Sequence, residues 1–366
     1  MATMGVRLAL LVAAAVLAGF AAGCGRSTGA AASGSYNVPA ALKNYVCPAD
    51  ATSVGATRSG PRTGGRLQVA TTVAPITSIV AEVAGDKADV RGVIPEGTDS
   101  HTFEPKPSVA ETFSKADVVF VNGLHLEDPT KTLAARNVPK DGQVVDLGDH
   151  TITPAQQIYD FSFPRAGGKP NPHLWTNPPM AACYAVIAGG VLAKADPANA
   201  ASYRANAQAV KARIDDLDQR FETASATVAP AHRKLLTYHD AYAYFAAHYG
   251  WTVIGAIQVS SFEDPTPKEV ARLIAQVKAE KVPAIFGSEV FPSKVLAQIG
   301  TEAGIRYVDT LRDDDLPGRP GDHDHSYLGL MKADYVTMIS SLGGNAEALR
   351  TFDAADVTPD RAVYPQ

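Results

Sequence analysis

Three of the nine histidines stand where a parallel α/β fold places its ligand sites. His101 lies in the loop after a predicted strand, His173 precedes a predicted helix, and His239 directly follows a predicted strand. Asp309 ends a further predicted strand and adds a carboxylate. Open α/β sheets bind ligands at the carboxyl ends of their strands, so these four side chains are expected to meet in one crevice. Three imidazoles and one carboxylate form a closed four-coordinate site of the kind that holds zinc.

The ligand types of this predicted site favour Zn²⁺. Imidazole nitrogen suits zinc, whereas an oxygen-rich ligand set suits Mn²⁺, and copper would bind more tightly than zinc if it were available. Three histidines beside an open position would also suit a zinc hydrolase with Glu104 or Glu289 as general base. The sequence contains no His-Glu-x-x-His motif, so metal binding without catalysis is the favoured interpretation.

A second group of potential ligands lies close to the carboxyl end of the chain. Carboxylate and imidazole alternate within an acidic loop that is punctuated by Gly and Pro, at Asp322, His323, Asp324 and His325. Such a loop could serve as an accessory site that captures metal weakly and passes it on. The alternative, which is favoured, is a solvated loop that precedes the last predicted helix.

The amino end reads as a targeting segment. Arg7 precedes an apolar run over 8–20 that has the length of a signal-peptide core, so residues 1–23 are predicted to be a signal peptide. The sequence Ala-Ala-Gly-Cys at 21–24 resembles a bacterial lipobox, which implies lipidation of Cys24. The alternative is a plain signal peptide followed by an unmodified cysteine. Both alternatives place the protein outside the cytoplasm.

Two further cysteines remain to be explained. If Cys24 carries a lipid, Cys47 and Cys183 are the only pair left, and an oxidising compartment favours a disulfide between them. Two independent thiols are the alternative.

Composition indicates a globular body with two domains. The chain has 366 residues, of which 46% are hydrophobic and 19% charged. This length exceeds one ordinary domain, and this composition excludes a disordered tail protein or a coiled coil. The net charge is −5 and no basic block runs through the chain, so nucleic acid is not an expected partner.

From residue 67 onward, short β-rich runs alternate with amphipathic stretches, which is typical of βα units in mainly parallel sheets. Strands are predicted at 67–71, 90–94, 118–122 and 144–147, and again at 234–238, 252–257, 284–286 and 307–309. Helices are predicted at 76–85, 108–115, 241–249, 267–280, 293–304 and 327–342. The predicted fold is therefore α/β, with two four-stranded, mainly parallel α/β lobes.

A long rigid helix is predicted to connect the lobes at 196–228. Its apolar residues recur every three or four positions, at Tyr203, Ala207, Val210, Ile214, Leu217 and Phe221. Such a rod is roughly 45 Å long and argues against a large hinge closure. The predicted domain boundaries are a signal peptide 1–23, a flexible tether 24–65, an amino-terminal lobe 66–195, the connecting helix 196–228 and a carboxyl-terminal lobe 229–366.

Four motifs resemble the zinc- and manganese-binding solute-binding proteins of bacterial ABC importers. They are Thr-Asp-Ser-His-Thr-Phe-Glu-Pro at 98–105, Asn-Gly-Leu at 122–124, Pro-His-Leu-Trp at 172–175 and His-Asp-Ala-Tyr-Ala-Tyr-Phe at 239–245. The resemblance runs in order from about residue 67 to residue 342. It implies one metal in the cleft between two lobes, bound by His101, His173, His239 and Asp309. Asp313, Asp314 and Asp315 follow closely as alternatives for the last ligand.

The resemblance also implies the function. It implies an extracytoplasmic lipoprotein that captures Zn²⁺ and delivers it to an ABC permease, without catalysis and as a monomer. Manganese carriers of the family tend to have a carboxylate at the third histidine position, which is His239 here. Zinc is therefore favoured, with a manganese carrier as the alternative and a zinc-dependent hydrolase as a less favoured one.

Overall fold

The first lobe is built on one parallel sheet of four strands. The computed structural model describes residues 38–42, 44–57, 65–257, 266–288 and 293–365. Its first elements are β1 Leu67–Thr71, α1 Ala74–Ala84, β2 Ala88–Gly92, α2 Pro107–Lys115, β3 Val118–Val121, α3 Asp128–Asn137, β4 Gln143–Asp146, α4 Leu147–Thr151 and α5 Pro178–Ala195. The strand order is β2-β1-β3-β4 with every pair parallel, as predicted. β3 is apolar at every position because both faces of the sheet are covered.

One long helix connects the two lobes. α6 spans Ala200–Ser225 and follows a short 3-10 turn at Pro197–Asn199, inside the predicted bounds. All six residues of the predicted apolar stripe are buried. Its 26 residues give a length of about 39 Å. The helix packs along α1 and α5, so the first lobe supports it over much of this length.

α5 runs through the core. Among the described residues it is the one helix long and apolar enough to cross a membrane, and most of it is buried inside the protein. Two central glycines allow close neighbours on two sides. A Cβ at Gly189 would lie 2.6 Å from the Cβ of Ala207 on α6, and a Cβ at Gly190 would lie 2.5 Å from the carbonyl oxygen of Thr52. Larger residues at these positions would push α6 and the amino-terminal segment away from α5.

The second half supplies the other ligand loops. Its elements are β5 Lys234–Thr237, α7 Ala243–Tyr249, β6 Thr252–Ala256, α8 Pro267–Glu280, β7 Ala284–Ser288, α9 Lys294–Ala303, β8 Arg306–Leu311, α10 Tyr327–Ser341 and α11 Glu347–Arg350. Within the described residues its four strands form two parallel pairs, β5–β6 and β7–β8, with β5 beside β7. A register irregularity interrupts each pair. β8 continues to Leu311, two residues beyond its predicted end.

The segment before β1 is more ordered than its composition predicts. Leu42 and Ala51 are buried, and the backbone N–H of Ala56 donates a hydrogen bond of 2.8 Å to Oε1 of Gln143. Residues 38–42 and 44–57 of the flexible tether predicted over 24–65 are therefore packed against the first lobe. Side-chain hydrogen bonds and a crosslink can fix an irregular segment that carries no periodic pattern. The predicted signal peptide 1–23 and lipidation site Cys24 lie outside the described residues.

The crosslink is a disulfide between Cys47 and Cys183 of α5, whose Cα atoms are 5.3 Å apart. The sequence analysis predicts the same pair, because only these two cysteines remain if Cys24 carries a lipid. The bond closes a loop with a sequence separation of 136. In the chain-entropy model, closing a loop of this size stabilises the fold by at most about 5 kcal/mol.

The carboxyl-terminal tail returns to the first lobe. Val363 forms a parallel bridge with Arg91 of β2. Its N–H donates to the Val90 carbonyl at 3.0 Å, and its carbonyl accepts from the Gly92 N–H at 2.9 Å. The end of the segment predicted as the second lobe, 229–366, therefore adds to the edge of the first sheet.

The main hydrophobic core crosses the boundary between the lobes. The ring of Phe221 on α6 lies 5.1 Å from that of Phe245 on α7 and 4.4 Å from that of Tyr335 on α10, measured between centroids. A smaller core lies between the strands of the second lobe and helices α8 and α9. The connecting helix is thus packed against both lobes, which agrees with the rigid connector that the sequence predicts.

Candidate metal centre

The three predicted histidine ligands converge on one point. Nε2 of His173 lies 3.1 Å from Nε2 of His101 and 2.8 Å from Nε2 of His239. The ligand atoms of all three lie within 4.8 Å of one another. Three imidazole nitrogens that face a common point are suited to a first-row divalent metal ion.

Each histidine is positioned by the end of an element. His101 lies in the loop that follows β2, and its N–H donates to Oδ1 of Asp99 at 2.9 Å. His173 precedes a 3-10 turn that leads into α5. His239 lies two residues after β5, where the hydroxyl of Thr237 donates to its carbonyl at 2.6 Å. The ligands therefore come from strand ends and loops of both lobes.

Asn171 fixes the tautomer and orientation of His173. Its Oδ1 lies 2.9 Å from Nδ1 of the fully buried His173, so Nδ1–H is the donor and Nε2 keeps its lone pair for a metal. The amide nitrogen of Asn171 donates to Oδ2 of Asp160 at 3.0 Å and to the carbonyl of Asp240 at 2.8 Å. Sequence reasoning missed Asn171, although it stands two residues before a predicted ligand.

Asn122 supports the same loop from the first sheet. Its Nδ2 donates to the carbonyl of Pro172 at 3.0 Å, and its Oδ1 accepts from the hydroxyl of Tyr184 at 2.7 Å. This role explains the Asn-Gly-Leu motif at 122–124, because Asn122 directly follows β3 and links this strand end to the His173 loop.

The carboxylate that the structure brings closest to the histidines is Asp313, whereas Asp309 was the predicted fourth ligand. Asp309 is exposed within β8, and it does not belong to the histidine cluster. Asp313, in the loop after β8, is buried, with Oδ2 4.0 Å from Nε2 of His239. Its carbonyl accepts a 2.8 Å hydrogen bond from Nε1 of Trp175. β8 continues past Asp309 and the loop after it begins later, so the structure favours Asp313 over Asp309 as the carboxylate beside the histidines.

Burial sets the protonation of the centre. It lowers the pKa of His239 to about 4, and it lowers the pKa values of His101 and His173 well below the ordinary value for histidine. Burial also raises the pKa of the Asp313 carboxyl to about 6. At pH 7 the three imidazoles are therefore neutral and Asp313 is mostly ionised, which is the state that binds a metal cation.

Hydrogen bonds clasp the two ligand loops to each other. The carboxylate of Asp315 accepts from the N–H of Gly97 at 3.0 and 2.9 Å, one for each oxygen. The hydroxyl of Ser100 donates a hydrogen bond to Oδ2 of Asp314 at 2.5 Å. The backbone N–H of Leu316 donates a hydrogen bond to Oε1 of Glu96 in the first-lobe loop at 3.2 Å. The loop that carries His101 is thereby joined to the loop that carries Asp313.

The predicted accessory ligands do not come together. His323 is exposed, and its Nδ1 lies 2.9 Å from Oδ1 of Asp324. His325 is buried, and its Nδ1 lies 3.2 Å from the carbonyl oxygen of Pro317. Asp322 is exposed, and its Oδ2 accepts a hydrogen bond from the backbone N–H of Arg319 at 2.9 Å. These surroundings do not favour the accessory-site hypothesis, since alternating residues of this loop have different partners. The loop is part solvated and part structural.

Comparison with known proteins identifies a family. Residues 69–340, more than half of the chain, match the family described as zinc-uptake complex component A, periplasmic (ZnuA). This region contains all three histidines and Asp313.

Similar curated proteins are lipoproteins of metal importers. The chain is 26% identical over 269 residues to the metal ABC transporter substrate-binding lipoprotein FimA of Streptococcus parasanguinis, covering 73% of this chain and 86% of that protein. It is 27% identical over 270 residues to the iron ABC transporter substrate-binding lipoprotein MtsA of Streptococcus pyogenes, with coverage of 73% and 86%. It is 26% identical over 293 residues to the manganese-binding lipoprotein MntA of Halalkalibacterium halodurans, with coverage of 80% and 94%.

Solved structures share the fold. The periplasmic zinc binding protein TroA of Treponema pallidum matches with a TM-score of 0.69 and 24% identity, covering 76% of this chain and 99% of that chain. A periplasmic metal binding protein of Candidatus Liberibacter asiaticus matches with a TM-score of 0.65 and 24% identity, covering 75% and 99%.

Proposed function

The chain belongs to the zinc-uptake complex component A family of metal-binding components of ABC importers, and we propose that it captures Zn²⁺ outside the cytoplasm and delivers it to the importer's permease. The observation that carries this proposal is the convergence of three buried imidazole nitrogens beside Asp313. The family consists of substrate-binding proteins, not enzymes, so no hydrolytic role is assigned.

The ligand chemistry supports zinc as the cargo. Three neutral imidazoles and one carboxylate would leave a bound Zn²⁺ centre near a charge of +1. Metal binding must compensate the lost hydration of the ion, and buried ligands that are already deprotonated require no prior loss of protons. His101, His173, His239 and Asp313 are the proposed ligands, with Asp313 in place of Asp309.

Manganese is the second candidate. One relative is named for manganese and another for iron. Asp313 supplies the oxygen ligand that Mn²⁺ prefers, although the three nitrogen ligands favour zinc. The two candidates share the site and differ only in the ion that it selects.

We propose that release involves movement of a ligand loop more than of a whole lobe. α6 packs against both lobes, which opposes a large hinge motion. Docking of the permease could instead separate the clasped loops at Asp315 and Gly97 and withdraw Asp313 from the cargo. The ion would then lose its charged ligand first.

Localisation and partners follow as proposals from the same family. The relatives named above are lipoproteins. We propose that Cys24 carries a lipid anchor at the cell membrane and that the protein acts as a monomer. The net charge of −5 offers no reason to expect nucleic acid as a partner.

Elemental analysis and competitive titration test the cargo. We expect one equivalent of zinc per chain after purification from metal-replete medium, and a higher affinity for Zn²⁺ than for Mn²⁺ against chelators of known strength. Asp309→Asn is the matched control and should bind like the wild type. A preference for Mn²⁺ would move the assignment to the second candidate, and absence of tight binding to either ion would refute the proposal.

A further inference from the structure

A second cluster of potential metal ligands lies on the connecting helix. Asp218 and Glu222 are four residues apart on α6, so their side chains share one face of the helix. His248 lies in the last turn of α7 and faces them. The ligand atoms of these three residues lie within 4.8 Å of one another, as do those of the principal histidine cluster.

The two clusters lie at opposite ends of α7. His239 precedes the first turn of this helix, at Ala243, and His248 stands at the other end. The second cluster shares no residue with the principal centre, so its occupancy does not depend on the proposed zinc function.

Asp218 is held in place and keeps a free oxygen. Its Oδ1 lies 3.1 Å from Nε2 of His248 and accepts the hydroxyl of Tyr249 at 2.5 Å. Within the part of the chain that the structure describes, Oδ2 of Asp218 and the carboxylate of Glu222 have no hydrogen-bond or ion-pair partner. Two carboxylates are thus available beside an imidazole, with one of them oriented by Tyr249.

The cluster stands on a rigid aromatic base. The ring of Tyr249 lies 4.4 Å from that of His248, 4.3 Å from that of Phe221 and 5.0 Å from that of Phe245. Rigid support lowers the cost of ordering ligands around an ion. The side chains of Asp218 and His248 are 19% and 23% exposed, so an ion can reach the site from solvent.

We infer that Asp218, Glu222 and His248 bind a second divalent cation, with water completing the coordination. Two carboxylates and one imidazole suit a first-row ion such as Mn²⁺ or Zn²⁺. Three protein ligands at a solvent-accessible position bind more weakly than the buried centre, with a Kd of about 1–100 μM. Such an ion would join the connecting helix to α7 and thereby to the second lobe.

Titration of a second equivalent tests this inference. The full chain is first saturated with one equivalent of Zn²⁺ and then titrated with Mn²⁺ or Zn²⁺ by calorimetry, with Mn²⁺ binding also followed by electron paramagnetic resonance. We expect one further equivalent in the wild type. His248→Ala and Asp218→Asn should each weaken it by at least about tenfold, as loss of one of three ligands implies. His150→Ala, which removes an exposed histidine elsewhere, is the control and should leave it unchanged.

A variant without the principal centre separates the two sites. His101→Ala, His173→Ala and His239→Ala combined should retain the weaker equivalent. If this variant fails to fold, the zinc-saturated wild type and its His248→Ala form supply the same comparison. Absence of a second equivalent up to about 1 mM metal, or a second equivalent that is insensitive to both His248→Ala and Asp218→Asn, would overturn the inference. Failure of the zinc proposal would instead appear as loss of the first, tight equivalent.

Discussion

The two lobes contribute unequal halves to the metal centre. His173, from the first lobe, is fully buried, hydrogen-bonded to Asn171 and supported through Pro172 by Asn122. Asp313, from the second lobe, lies 4.0 Å from the nearest ligand nitrogen and follows a strand whose pairing is interrupted. The difference suggests a division of labour in which the first lobe holds two preformed nitrogen ligands, His101 and His173, and the second lobe completes or withdraws the coordination with His239 and Asp313.

Removing the most firmly held ligand gives the strongest test of this comparison. His173→Ala should weaken Zn²⁺ binding by about 1,000-fold, because both a ligand and the organisation around it are lost. His239→Ala should cost less, about 100-fold. Competitive chelator titration measures both, and circular dichroism of the metal-free variants checks the fold. A larger loss in His239→Ala would reverse the proposed ranking of the lobes.

Substitutions of the two aspartates near the end of β8 test which of them is the carboxylate ligand, Asp313 as proposed from the structure or Asp309 as predicted from the sequence. Asp313→Asn should weaken Zn²⁺ binding by roughly 30- to 100-fold, because the site loses its only proposed charged ligand. Asp309→Asn should leave affinity unchanged, since this side chain is exposed on the strand. The same titration applies. Equal losses in both variants, or a loss confined to Asp309→Asn, would restore the sequence-based ligand.

Asn171 tests whether the first lobe is preformed. Asn171→Ala removes the acceptor of His173 Nδ1–H and should weaken Zn²⁺ binding by about 10- to 30-fold, as for other partners of metal-bound histidines. Asn171→Asp keeps an acceptor and should retain more of the affinity. The ring of His173 can be followed by NMR in both metal-free variants. Wild-type affinity in Asn171→Ala would argue that the loop needs no such support.

Acidity should affect the carboxylate ligand before the imidazole ligands. Between pH 8 and pH 7 the Zn²⁺ affinity should change by less than about twofold, because the imidazoles are already neutral and Asp313 is mostly ionised. Below pH 6 the affinity should fall, first as Asp313 takes up a proton near its pKa of about 6 and then as His239 does near its pKa of about 4. Free imidazole would give up metal nearer pH 6.5. A steep loss of affinity above pH 7 would contradict the buried, neutral state of the histidines.

Periodic segments were predictable from the sequence, and their ends were less so. The stripe on α6 is buried at all six predicted positions, because helical spacing records directly which face is covered. The end of β8 depends instead on pairing with β7, which the local sequence does not encode. Because the strand continues two residues past its predicted end, the loop after it begins later, and the proposed carboxylate ligand is Asp313 in place of Asp309.

Irregular segments left weaker signals. The packing of residues 38–42 and 44–57 rests on one crosslink and scattered hydrogen bonds, and the return of Val363 to the first sheet joins residues far apart in the chain. The convergence of the three histidines was predictable because residue type and position at the ends of strands or helices are informative together. Asn171 and Asn122 act through hydrogen bonds to a ligand or its loop, and a single amide residue has no sequence pattern that announces such a role.

The disulfide determines how mechanical tension would travel through the molecule. A pull applied at the amino end reaches Cys47 and crosses covalently to Cys183 on α5. The intervening chain, which contains β1–β4 and both His101 and His173, lies inside the closed loop and outside this direct covalent path. In a protein held at a membrane by its amino end, the covalent path of such a force would therefore bypass the backbone of the first sheet and the two nitrogen ligands that this sheet supports.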